Sequence, residues 1–563
     1  MARARPGGAA PVSYAPRTSP DQEATGWPPG VPYIVGNEAC ERFSYYGMRS
    51  ILYVYMADHL YRQHAEYAAR AGDLATAHFH LFSAGVYALP MLGAIVADRL
   101  LGKYRTILAL SVVYCLGHAV LSGTEGSLLG LWFGLFLIAV GSGGIKPCVS
   151  AHVGDQFGKK NWFRLEKIYQ IFYFTINFGS AFSSVLIPWV FDFRETRTGF
   201  LADHAVSIAF AIPGVLMLVA TGFFFMGRKV FVHVPPSPGG NLGLLDTLSS
   251  VALFMTFGHL FFTAGEPWWV KVLASVLSFA LGMGIFVFRQ EKTHDDGFLA
   301  VLVYSLRAHL AGRGAPDGDP YAGLAEDDDL RRSRLFRPAV ARFGAETARG
   351  PHAVVKIVSI FILVSIFWSL FDQSATSWVR QGQMMRTVSV FGVKVLPEML
   401  QAVNPVFVMI LIPLMGSGAY PLARKLGWEP TALRRMTVGM IIAAFSFVVV
   451  ALLQHRIEAE GPGKVSILWQ CVPYLVITVA EVLVSITGLE FAYSQAPKRM
   501  KSTIMAFWLF TVAIGNVLVS LLAEFSRLPL VTFFWLFAGL MLLSGLAFGL
   551  RAWFYEVRDF VQE

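Results

Sequence analysis

Fourteen apolar runs of at least roughly 18 residues, each long enough to cross a bilayer as a helix, take up most of this 563-residue chain. They lie near 31–57, 79–98, 105–123, 129–151, 168–191, 205–227, 243–264, 268–289, 351–374, 399–419, 434–454, 466–494, 502–524 and 530–555. A Pro/Gly linker from Val234 to Gly240 sets off a pair of runs after the first six. A charged segment from Arg289 to Gly350, with Glu326 to Asp329 beside Arg331 and Arg332, then precedes the last six. Only helices and closed barrels satisfy every backbone group in lipid, and runs of this length specify helices. The expectation is an all-α membrane protein. Its parts are a disordered tail at 1–30, a six-helix bundle at 31–229, a linker and helical hairpin at 230–289, a solvated connector at 290–350 and a second six-helix bundle at 351–563. An amphipathic helix within the connector is expected around Phe298 to Leu310.

Composition agrees, with 55% hydrophobic and 15% charged residues and 46 Phe. In such a chain the net charge of +9 matters less than how Lys and Arg divide between loops, and nucleic-acid binding is not indicated. Arg99, Lys103 and Arg105, then Lys159, Lys160 and Arg164, then Arg228 and Lys229, Arg424 and Lys425, and Lys498, Arg499 and Lys501 all fall on one side. That side is expected to be cytoplasmic, with both termini and the connector. Arg194, Arg380 and Arg456 lie on the other side, so the bias is cumulative. The first 30 residues have no apolar core of a secretory signal. Cys40, Cys115, Cys148 and Cys471 lack C-x-x-C spacing and are read as packing residues.

The first run carries an unusual set of polar residues. At about 100° per residue, Glu38, Glu41, Arg42, Tyr45 and Arg49 share one helical stripe. Each charge costs roughly 2.5 to 3.5 kcal/mol at a bilayer centre, so the stripe is expected to face a bundle interior or a wet cavity. In the second run His80 and Tyr87, seven apart, share a face. His80 is near the end away from the basic loops and suits a proton acceptor titrating from there, or a structural histidine. Lys146 lies within the fourth run, followed by the helix-interrupting Pro147, and calls for an anionic partner. In the second half Asp372 follows Trp368 by one turn within an apolar run, and Glu481 and Ser485 share a face while Glu490 points away. For Tyr45, Tyr46, Trp368 and Trp508 ordinary aromatic packing is the alternative to a pocket role.

The run Glu38 to Gly47, E-x-x-E-R-F-x-Y-Y-G, resembles the first-span signature of the proton-dependent oligopeptide transporter family. Gly141 to Val149 around Lys146, Phe172 to Ser180 around Asn177, and Glu481 to Pro497 resemble further stretches of that family. Together these resemblances run from Val31 to the last span. His80 to Pro90 is similar to the animal peptide transporters, whose aligned histidine is implicated in proton coupling. The loop from Gly93 to Lys103 resembles the charged loop of the major facilitator superfamily, and the hairpin at 243–289 resembles the extra helix pair of bacterial members. The resemblance implies a major facilitator fold with substrate bound near mid-membrane between the halves. It makes Lys146 a substrate-cavity residue, gives Asp372 the role of an acid able to pair with Lys146 and take a proton, and places Asn177 and Asn404 at the peptide amino end. Trp508 falls at the family's pocket tryptophan.

From these readings a peptide zwitterion is expected to lie between cations on one wall and anions on the other. Its carboxylate would meet Arg49 and Lys146, and its amine Glu481, Asn177 and Asn404, with Tyr45, Tyr46, Tyr87, Trp368, Trp508 and Ser485 around it. Protonation of His80, Asp372 or the Glu38/Glu41 pair with Arg42 would break ion pairs and permit alternating access, driving import of di- and tripeptides. Another solute such as nitrate, a non-transporting receptor and a channel are the rivals. No P-loop, metal-ligand cluster or nucleophile–base pair stands out, so neither an enzyme, a cofactor nor direct ATP drive is expected. A monomer in a bacterial inner membrane completes the expectation.

Overall fold

The computed structural model describes residues 17–261, 267–293, 297–311, 321, 329–495 and 501–555. Its helices are α1 (Val31–Val54), α2 (Ala71–Leu101), α3 (Lys103–Gly123), α4 (Leu128–Gly154), α5 (Trp162–Thr196) and α6 (Ala205–Lys229). A hairpin of α7 (Gly240–Leu260) and α8 (Trp268–Lys292) follows, and then α9 (Phe298–Leu310). The remainder is α10 (Ala345–Gln383), α11 (Pro397–Lys425), α12 (Ala432–Glu460), α13 (Ile467–Ala492), α14 (Thr503–Phe525) and α15 (Leu530–Trp553). Among the described residues thirteen helices are long and apolar enough to cross a membrane. α1 adds a fourteenth span despite its charges, being 24 residues long. The chain is a multi-pass membrane protein with two six-helix bundles and an additional hairpin.

Each bundle buries its own core. Val31, Met48, Ile138 and Phe210 belong to the first, and Ile360, Met440, Phe447 and Phe537 to the second. Within the first half α1 packs on α5 and α6, and α3 packs on α4 and α6. In the second α12 packs on α13 and α15, and α10 on α14 and α15. The halves meet where α2 lies along α14 and α5 along α11. α2 also crosses α4 at Gly93, where a Cβ would stand 2.5 Å from the Gly144 backbone, so the crossing requires a residue without one. The α7–α8 hairpin exposes Trp268, Leu273, Leu277 and Phe279, and Arg289 ties its ends together through Asp246 at 2.6 Å. Asp246 also meets Arg99 of the charged loop, at 3.5 Å.

Two expectations change. Residues 17–30, assigned to a disordered tail, run along the first bundle: His233 donates to the Arg17 carbonyl at 2.7 Å, Asn161 to Gly26 and Arg164 to Thr25. The partners are backbone carbonyls, which composition cannot flag. Residues 1–16 lie outside the described residues. The segment read as a solvated connector has a small core of Val301, Leu330, Phe336, Val340 and Ala348 beneath α9. It docks on α10, with Lys356 paired to Asp329 at 2.7 Å. Its apolar residues are too dispersed to make a run, but they converge once three short helices fold against α10. Glu326 to Asp328 and Lys498 to Met500 are outside the described residues.

Candidate functional site

The α1 stripe faces inward. Arg42 Nε lies 2.6 Å from Glu38 and 3.2 Å from Glu41, so one guanidinium serves both carboxylates. Glu41 also accepts a hydrogen bond from Ser142 of α4 at 3.2 Å. Glu38 and Glu41 are buried, so the cluster gains from being nearly water-free only because each charge has a partner.

Two turns further on, Arg49 crosses to the other half. Its Nη2 lies 2.6 Å from Asp372 Oδ1, and both residues are buried. The second oxygen of Asp372 accepts from Asn516 Nδ2 at 2.6 Å, and that nitrogen also donates to the Val512 carbonyl at 2.9 Å. Both partners of Nδ2 are acceptors, so the Asn516 amide oxygen faces the other way, to His80 Nδ1 at 2.7 Å. His80 therefore carries a proton on Nδ1 and presents Nε2 to Thr376 Oγ1 at 2.9 Å. One hydrogen-bonded chain, Arg49, Asp372, Asn516, His80 and Thr376, thus joins α1 and α2 to α10 and α14.

This corrects two expectations. Asp372 is engaged by Arg49, not by Lys146, because the end of α10 meets α1 where the guanidinium already fills the site. The cation and anion that were to stand on opposite walls neutralise each other here. His80, expected to titrate from the loop end, is fully buried with both ring nitrogens engaged, because α14 packs over that part of α2.

Among the described residues Lys146 makes no ion pair, although the Glu41 and Glu38 carboxylates lie within electrostatic range of it. Its Nζ is buried without a hydrogen-bond partner and sits 4.2 Å from the Tyr45 ring centroid and 4.3 Å from that of Tyr87. Tyr45 is packed edge-on to Tyr46 at 5.4 Å. In the second half Asn404 Nδ2 donates to Glu481 Oε2 at 2.7 Å and to Thr478 Oγ1 at 3.0 Å. Tyr46 and Tyr173 of the first half and Asp372 of the second lie within electrostatic range of the Glu481 carboxyl. The two halves therefore converge, with Lys146 and its aromatic clamp on one side and Glu481 with Asn404 on the other.

Other predicted residues fall differently. Asn177 donates to the Tyr173 carbonyl of its own helix at 2.8 Å and also meets the Tyr173 side chain, which lies within electrostatic range of Glu481. Ser485 lies on the π-helical turn Val482–Ile486 that directly follows Glu481. Glu490 is exposed and pairs with Arg435 at 3.1 Å. Trp508 is buried in the second core between Phe361 and Trp368, at 5.0 and 6.2 Å. Trp368 is also buried, with its indole nitrogen unpartnered. Sequence reasoning missed Asn516, Thr376, Ser142 and Tyr173. An asparagine inside the apolar run 502–524 was a usable signal, since a buried amide in lipid needs partners. Hydroxyls of Thr376 and Ser142 offered none. Among the described residues no group of three or more His, Cys, Asp or Glu is placed to hold a metal.

Among the described residues the polar contacts between the halves gather at the end away from the basic loops. Besides the Arg49 chain, Arg380 meets Asp73 at 2.6 Å, Gln383 meets Asp58 at 2.6 Å, Gln401 donates to the Ser50 carbonyl at 3.2 Å, and Arg70 donates to the carbonyl of Glu524 at the end of α14. That end is sealed.

Known proteins match this chain closely. Human "Solute carrier family 15 member 1" is 31% identical over 460 residues, covering 78% of this chain and 53% of the relative. The chain thus spans about half the length of the curated relatives it matches. A crystal structure described as an auto-inhibited POT family peptide transporter is 34% identical, with a TM-score of 0.73, covering 95% of this chain and 99% of that one. The POT family transporter PepTSo is 36% identical, with a TM-score of 0.71, covering 94% and 98%. The family model described as "POT family" matches residues 104–267 and 335–536, more than half of the chain. The protein whose helices and buried charges are described above belongs to the POT family.

Proposed function

We propose that this protein is a proton-coupled symporter that imports di- and tripeptides by alternating access. The observation that carries this reading is the separation of unspent charge. Arg49 and Asp372 neutralise each other, Arg42 serves Glu38 and Glu41, and Lys146 and Glu481 are left facing the convergence of the halves without an ion-pair partner among the described residues. Two aromatic faces offset about 0.5 to 2 kcal/mol each for Lys146. Desolvating an ammonium costs several kcal/mol, so Lys146 has the most to gain from an incoming carboxylate. Glu481, held in place by Asn404, is the complementary site for an ammonium group. A peptide zwitterion presents both charges and would bridge the halves.

Protons act on the chain that joins those halves. A neutral Asp372 no longer holds Arg49, and a proton on His80 Nε2 turns an acceptor toward Thr376 into a donor. Either event loosens or rewrites the closed end, which links proton occupancy to the rocking of one bundle against the other. The basic loops face the cytoplasm in this reading, so the sealed end is the outer one, and the membrane is a bacterial inner membrane. The protein works as a monomer and takes its energy from the proton gradient, with no cofactor. The test is dipeptide-driven proton influx into proteoliposomes. The reading predicts acidification on peptide addition that Asp372→Asn and Arg49→Ala abolish, and an unchanged internal pH on peptide addition to the wild type would refute it.

A further inference from the structure

A second carboxyl sits in the seam between the halves, outside the machinery above. Glu398 is the second residue of the 3-10 turn Pro397–Ala402 that begins α11, and it is only 5% exposed. That helix packs on α1, on the outer end of α5 and on the last turns of α10. Gln401, one turn on, fastens it to the Ser50 carbonyl of α1 at 3.2 Å. Apart from its own backbone amide, the Glu398 carboxyl has no partner among the described residues. Every charged group that faces it is committed or like-charged. From the end of α5, Arg194 attracts it and Asp192 repels it, and the Arg194 guanidinium is already shared with the Phe191 carbonyl and with Glu195 at 3.1 Å. From beyond α1, Asp58 is held by Arg62 at 2.8 Å and by Gln383. On α1, Arg49 belongs to Asp372, and on α10, Arg380 belongs to Asp73.

We propose that Glu398 is a proton-sensing latch of the outer closure. Parting the halves would expose this carboxyl to the external solution, where it ionises. Closing them removes it from water beside Asp192 and Asp58, where Arg194 is shared with Glu195 and Lys394 acts on Asp192, an environment that favours the neutral acid over the carboxylate. Outer closure therefore takes up one external proton at Glu398 and returns it to the same side on reopening. This is opposite in sense to Asp372, whose ionised form holds the closure through Arg49. The inference rests on the transport reading only in treating closure as a step of the cycle.

The test uses the full chain in nanodiscs, with amide hydrogen exchange of residues 389–402 followed between about pH 5 and pH 8 and corrected for the intrinsic rate. A single linked proton changes the closed-to-open ratio by up to about tenfold per pH unit. In the wild type, protection of this segment is expected to rise as pH falls. In Glu398→Gln it should be high throughout, with that proton's share of the slope lost. The same pH dependence in both proteins overturns the proposal, as does protection in the wild type that falls on acidification. Should the variant fail to insert, a hydrophobic carbodiimide, which attacks neutral carboxyls in apolar surroundings, reads the unmutated protein. Labelling at Glu398 that increases on acidification supports the latch, and none at any pH overturns it. Peptide-driven proton influx, run in parallel, should keep its stoichiometry in Glu398→Gln. Its absence from the wild type would remove the transport reading while leaving the exchange comparison intact.

Discussion

Replacing Asp372 by asparagine should unseal the outer end. The carboxylate and the Arg49 guanidinium are 2.6 Å apart, with side chains 6% and 10% exposed, so solvent screens the pair little. Removing one partner of a buried pair leaves the other charge uncompensated and costs about 3 to 5 kcal/mol. The variant adds a second fault. An amide at 372 can offer Arg49 an oxygen only by turning its own NH2 toward the Asn516 NH2, setting donor against donor. At about 1.4 kcal/mol per factor of ten, the closed-to-open ratio should fall by roughly two to three and a half powers of ten. Spin labels at exposed Gln63 and Val393, on opposite halves of the sealed end, report the change as a distance distribution once the four native cysteines are replaced. The wild type should give one short population, and Asp372→Asn a longer one. Arg49→Ala combined with Asp372→Asn should cost less than the two singles together, since no charge is then left unpaired. A distance distribution unchanged in Asp372→Asn, or additive effects in the double variant, would refute the claim that this pair holds the closure.

Four further outcomes follow from particular contacts. Asn516→Leu keeps the branched shape but removes the link between Asp372 and His80, and should reduce peptide-driven proton influx in liposomes at least about tenfold, since a buried hydrogen bond to a charged group is worth about 1.5 to 3 kcal/mol. Gly488→Ala places a Cβ 2.0 Å from the Trp508 indole and should lower stability by about 1 to 3 kcal/mol, seen as a fall in melting temperature that a smaller residue at 508 restores. On the outer loop, hydrogen bonding to His59 and then to Ser207 holds the Glu125 carboxyl below its ordinary value. Its contribution to stability is therefore present above the usual carboxylate range and lost as pH falls through the lowered value, and Glu125→Gln should flatten that acid limb of the melting curve. Deleting residues 17–27, which lie on the loop between α4 and α5, should raise hydrogen exchange at 156–164 and leave the second bundle unchanged.

The spans were legible because each is a long apolar run whose backbone must bond internally, and the E-x-x-E-R stripe stood out as charge at membrane depth. Ends were less so. α2 begins at Ala71 and α10 runs from Ala345 to Gln383, well past the apolar runs at 79–98 and 351–374, because their polar terminal turns are helical but not hydrophobic. Lys146, Asp372 and Glu481 were identified individually, yet their pairing was not, since it depends on which conformation brings α1 against α10. A helical wheel assigns faces within one helix and says nothing about which of two nearby cations an acid will choose. Tyr173, the role of Asn404 in holding Glu481 and the partners of Asn516 emerge only when helices far apart in sequence meet. The docked connector was hidden for the same reason: its core residues are scattered among charges over some fifty positions.

The measurement closest to the central claim is binding of a dipeptide, its N-acetyl form and its C-terminal amide to the wild type, Lys146→Ala and Glu481→Gln. In the wild type both blocked forms should bind at least about tenfold more weakly than the free dipeptide, a loss of about 1.4 kcal/mol or more for each charge removed. Lys146→Ala should cease to distinguish the amide, and Glu481→Gln should cease to distinguish the acetylated form. If either variant keeps the discrimination assigned to the residue it has lost, the peptide's charges are held elsewhere and the account is contradicted.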